Sequence, residues 1–163
     1  MFGFPTRPQH YTPFMDQRIR PEDRFTAFGS WVSAYFQHGD ISLQNPDVLS
    51  WVEPSTVHPA TVDNMTVEEQ KEIIYTGKGV HDEIPYLQDS LQQFGYAYRK
   101  AFLDDGIRTL FPGLKASLLV GEMSPAFAIS SYWMLENARK ETGKPFNIRL
   151  ISDSNHFVSL LQV

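Results

Sequence analysis

The sequence contains no cysteine, which excludes disulfides and any thiolate-based metal or redox chemistry and leans towards an intracellular setting. Long apolar runs are missing as well. The cleanest one, Leu118-Leu119-Val120, falls far short of the roughly 20 residues a membrane-spanning helix needs. Positive charge is sparse: 14 Lys and Arg stand against 19 Asp and Glu, for a formal net charge of −5. With no basic cluster to follow a phosphate backbone, nucleic acid is not an expected partner. Met1 to Phe14 lacks the basic start and continuous apolar core of a signal peptide, so the expected location is intracellular, cytoplasmic or peroxisomal. Without a secretion signal the glycosylation pattern Asn64-Met65-Thr66 reads as a chance match. No internal repeat or low-complexity segment occurs.

What is present suits a globular chain. Of the 163 residues, 42% are hydrophobic and 13% aromatic, and a chain of roughly 150 residues can bury about 68–70% of its unfolded surface. Residues 1–20 are rich in Pro and aromatics without a period and read as an irregular lead-in. From Pro21 the pattern turns helical: Phe25, Phe28, Val32, Tyr35 and Phe36 recur at spacings of three and four, acids at Glu22 and Asp23 favour a helix start, and Gly39 ends it. A short helix is predicted from Pro46 to Glu53 with Asn45 as its cap. Thr66-Val67-Glu68-Glu69 has the capping-box form and opens a helix to about Thr76, closed by Gly77. Ile84, Leu87, Leu91, Phe94, Tyr98 and Phe102 mark a long amphipathic helix ending near Gly106. Residues 21–106 are thus predicted to be mainly helical.

Residues 107–163 read differently. Leu114 to Val120 and Phe146 to Ser152 are short apolar runs of the kind buried on both sheet faces, and Pro125 and Gly143 punctuate a helix between them. The expectation is an α/β unit in which two parallel strands flank one helix. Loops at the carboxyl ends of parallel strands are where such folds keep their chemistry. Gly121 to Pro125 and Asp153 to Phe157 lie at those ends.

Leu119-Val120-Gly121 and Asn155-His156-Phe157 together resemble the C-terminal part of an α/β-hydrolase: the last two strands, the helix between them, and the loop bearing the general-base histidine. The resemblance covers about residues 107–158. A weaker likeness is to fungal-type hydrolases of the peroxisomal and toxin-biosynthesis kind, in which Ser can stand three residues after that Gly, as Ser124 does here. It implies a partial α/β-hydrolase fold in which residues 21–106 form a helical cap over the strand ends, and a small lipophilic ester-like or acyl substrate. No cofactor is implied. The motif Gly-x-Ser-x-Gly is absent; Phe28-Gly29-Ser30-Trp31-Val32 comes nearest, without the second small residue and in a helical pattern. The resemblance therefore implies that the N-terminal half of the hydrolase core, with its nucleophile, lies outside this chain and is its natural partner.

His156 is the candidate catalytic residue, since an imidazole titrating near neutrality can take a proton from a serine hydroxyl and return it to the leaving group. Glu122 is the candidate orienting acid, with Asp153 behind it; either can instead be an ordinary turn acid. Ser124, followed by Pro125, reads as a helix cap. His81-Asp82-Glu83 looks metal-like but adjacent residues on a helix diverge, so no metal is expected. His10, His38 and His58 receive no role. The stripe Leu87, Leu91, Phe94, Tyr98 reads as core, part of which would line an acyl pocket in a cap. The rival reading is a non-catalytic chain, a truncated isoform or interaction module that lacks the nucleophile.

Overall fold

The computed structural model describes residues 8–74, 91–113, 115, 117–143 and 147–157. Its helices are α1 (Arg24–Val32), α2 (Val67–Ile73), α3 (Leu91–Leu103), α4 (Asp105–Leu110) and α5 (Ala126–Thr142); its strands are β1 (Ser117–Gly121) and β2 (Asn147–Ile151). The two strands pair in parallel, Ser117 opposite Asn147 through Gly121 opposite Ile151, with α5 as the crossover. The chain is therefore a mixture of helix and a small parallel sheet, and the strand-helix-strand expectation holds.

Local chemistry explains these elements. The Thr66 hydroxyl accepts the Glu69 N–H and the Glu69 carboxylate accepts the Thr66 N–H, so both halves of the capping box are formed at the start of α2. At the other end of α5, Gly143 takes a left-handed φ of 64° and its N–H returns to the Arg139 carbonyl.

The core lies between α1, the segment after it, β1 and the first half of α5. Phe36 and Ile129 are fully buried, with Trp31, Val120, Phe127 and Trp133 around them. Trp31 is the hub: its ring meets Phe36 edge-on at 5.5 Å and Phe127 at 6.0 Å, and its indole N–H donates to the Val52 carbonyl at 2.9 Å. Each such side chain contributes about 1.5–3 kcal/mol by leaving water. The lead-in packs on the same hub, Tyr11 against Trp31 and Phe14 against Phe28.

Several expectations are corrected. The periodic run from Phe25 to Phe36 is helical only to Val32, after which Tyr35 and Phe36 continue as irregular chain. The reason is tertiary: Thr61 N–H donates to the Ser33 carbonyl, Ser55 N–H to the Tyr35 carbonyl and Phe36 N–H to the Met123 carbonyl, and a helix cannot make those bonds. Residues 33–66 hold 3₁₀ turns at Ile41–Leu43, Pro46–Val48 and Thr61–Asn64 rather than α-helix. Asn45 does cap the second, by accepting the Asp47 N–H, but no helix continues to Glu53. The expected long helix breaks at Asp104, and α4 runs past Gly106. The strands are not buried on both faces: Leu118 and Val120 face the core, whereas Leu119 is 52% exposed and Arg149 also faces solvent. Among the described residues only the face of the sheet against α5 is covered. Phe94 is exposed and Tyr98 buried; Thr76, Gly77, Ile84 and Leu87 lie outside the described residues.

Candidate functional site

Parallel pairing puts the carboxyl ends of β1 and β2 side by side, and backbone hydrogen bonds weld the two following turns. Glu122 N–H donates to the Ile151 carbonyl at 2.9 Å and Met123 N–H to the Ser154 carbonyl at 2.8 Å. Gly121 is what lets them approach, because a Cβ there would collide with the backbone carbonyls of Ser154 and Asn155. The requirement is steric, a lack of room, and not one of φ.

Asn155 fixes the histidine loop from inside. Fully buried, it donates from Nδ2 to the Ser33 carbonyl and to Thr61 Oγ1, both at 2.6 Å, while its Oδ1 accepts the Phe157 N–H at 2.9 Å. The side chain thus brackets His156 and ties its loop to the end of α1 and to the 3₁₀ turn at Thr61. Asp153, with φ 54° and an exposed side chain, makes the turn out of β2.

His156 is half-buried, its ring edge-on to Phe127 at 5.5 Å and to Phe157 at 5.9 Å. Burial lowers its pKa below the ordinary histidine value, which keeps the imidazole neutral and able to accept a proton at neutral pH. It borders a cavity of about 120 Å³ formed with Gly121, Phe127, Ser131 and Tyr132 among others. That is below the roughly 300–1,000 Å³ of a drug-sized ligand site, so the cavity admits one small functional group. The Ser131 hydroxyl also borders it but donates to the Phe127 carbonyl at 2.8 Å.

Glu122 is half-buried in the turn after β1. Its field acts on His38, whereas burial alone acts on His156; among the described residues no hydrogen bond joins Glu122 to His156. Ser124 is not a helix cap. Pro125 holds the cap position without a side-chain hydrogen bond, and the Ser124 hydroxyl is wholly buried with no hydrogen-bond partner among the described residues.

One histidine given no role by sequence proves to be a bolt in this assembly. His38 Nε2 lies 2.8 Å from the Ser124 carbonyl and its Nδ1 accepts the Ser50 N–H at 3.0 Å, so the neutral ring with its proton on Nε2 satisfies both. Burial lowers its pKa, opposed by the bond to Ser124 and by Glu122. The partners are 86 and 12 residues away, and no local pattern signals them. His81-Asp82-Glu83 lies outside the described residues, and among the described residues no cluster of three or more His, Asp or Glu could hold a metal ion. No helix among them is long and apolar enough to cross a membrane. Comparison with family models, with curated proteins and with solved structures gives no match to this chain.

Proposed function

We propose that this chain is the cap and C-terminal portion of an α/β-hydrolase-type enzyme, with His156 as the general base in cleavage of an ester-like or acyl, lipophilic substrate. The observation that carries the reading is the strand-helix-strand unit. It welds two carboxyl-terminal turns together and holds a half-buried histidine, its pKa lowered by burial, immediately beyond β2. A half-buried neutral imidazole beside a cavity for one small group suits proton transfer at an acyl centre. Glu122, just after β1, acts on His38 and not on His156, so the orienting carboxylate is proposed to come, like the nucleophile, from the N-terminal half. The sequence offers no nucleophile elbow, so the attacking hydroxyl comes from the N-terminal half of the core.

The test is made on the longest protein the transcript encodes. That protein should carry Gly-x-Ser-x-Gly upstream and hydrolyse a p-nitrophenyl acyl ester. His156→Ala should lower kcat by ~10²–10⁴-fold, the usual share of a positioned acid-base group, with the circular dichroism spectrum unchanged. Unaltered turnover per folded molecule, or a transcript without a nucleophile, would contradict the proposal and leave the non-catalytic reading.

A further inference from the structure

Between α1 and α2 lies a second cavity, of about 670 Å³, with no role in the chemistry proposed above. Its size falls within the roughly 300–1,000 Å³ range of small-molecule sites. The walls are apolar: Phe25, Phe28, Val62, Met65, Ile74 and Phe157 contribute to them. Much of the polar lining is already committed to the protein. Gln70 spends its amide hydrogens on the carbonyls of Val62 and Met65, and Thr61 Oγ1 accepts from Asn155. Of the charged groups, Asp63 and Lys71 supply one of each sign, and neither forms an ion pair among the described residues. Both are exposed, where solvent and salt screen them, so the lining offers no buried charge to hold an ionic occupant. Thr26 and Ser30 add hydroxyls to the lining, which can serve one polar group on the ligand.

We infer that this cavity binds a neutral aliphatic molecule: a hydrocarbon chain carrying one hydroxyl or ester group. The occupant is small and uncharged because no charged group of the lining is buried, and it is chain-like because the walls away from the exposed charges are mainly apolar. The site differs from the pocket that the stripe around Phe94 and Tyr98 suggests. It adjoins the histidine loop, since Phe157 is in its wall and Asn155 bonds both Thr61 and Phe157. The inference stands on the cavity alone, whether or not His156 is a general base.

Gly29 supplies the test. It lies on α1 in the cavity wall, and a Cβ built there meets nothing within 4 Å. Gly29→Leu therefore starts its side chain in open space, takes up part of the cavity next to α1, and removes a helix-interior glycine. The 163-residue chain is titrated with N-phenyl-1-naphthylamine, a neutral fluorescent probe, and then with 1-dodecanol or dodecanoate as competitor. The expected result is saturable one-to-one binding, displaced by 1-dodecanol at lower concentration than by dodecanoate. Affinity should fall at least tenfold in Gly29→Leu while the melting temperature holds or rises. Leu110→Ser, on the exposed side of α4, should leave affinity unchanged. Thr26→Trp, an exposed wall position on the same face of α1, provides a second block should the first variant misfold. Absence of saturable binding, equal affinity in a folded cavity-blocked variant, or preference for dodecanoate would each overturn the inference.

Discussion

At the scale of single residues, the molecule depends on side chains whose partners are distant in sequence. His38 joins residues 38–50 to the turn between β1 and α5, and its ring must be neutral to do so, because a proton on Nδ1 would face the Ser50 N–H. Its pKa is lowered in the folded chain, so the stability it contributes is complete above the ordinary value of about 6.5 and is lost as pH falls from there through the folded value. Thermal melts between pH 7.5 and 5 should show a falling melting temperature. In His38→Ala the fall should be shallower, on a baseline lower by roughly 1–3 kcal/mol for a buried polar group left unpaired; an equally steep fall would exclude His38 as its source. None of this was legible beforehand, since His38 has no neighbour in the sequence that marks it. Ser124 misleads for the opposite reason. Serine before proline at a helix start is a strong local signal for a cap, but here the hydroxyl is sealed into the core and points to no helix N–H.

At the scale of elements, what could be read was what is decided locally or by period. The capping box at Thr66, the glycine stop at Gly143 and the two short apolar runs flanking α5 are all where the sequence puts them. The run from Phe25 to Phe36 shows where this fails: its spacing is helical throughout, yet backbone bonds to Met123, Ser55 and Thr61 draw residues 33–36 out of the helix. Long-range pairing outweighs a propensity worth only tenths of a kcal/mol per residue. The site shares this split. His156 beyond β2 follows from the strand pattern, whereas the Asn155 bracket and the His38 bolt follow only from the packed chain. Because α2 is seven residues long and exposed along much of its surface, its cap should matter. Thr66→Ala is expected to cost about 1 kcal/mol, read as a lower denaturant midpoint with unchanged slope. No change in midpoint would mean that packing alone holds α2.

At the scale of the whole molecule, the sheet is the part left open among the described residues. Among the described residues no strand pairs with the outer edge of β1 or β2, and Leu119 stands exposed on the uncovered face. An unprotected apolar edge recruits other strands, so the chain by itself should self-associate at micromolar concentration. Leu119→Lys should suppress this in light scattering at little cost in melting temperature, and undiminished association would place the contact elsewhere. The central claim is that this unit seats His156 as a half-buried, neutral base, and nuclear magnetic resonance titration of the His156 ring in the folded chain tests it most directly. The account predicts a midpoint below about 6.5, returning towards it in Gly121→Ala, where the added methyl pushes the Ser154 and Asn155 carbonyls away from β1. A midpoint at or above the ordinary value in the unaltered chain would show a solvated loop histidine and contradict the claim.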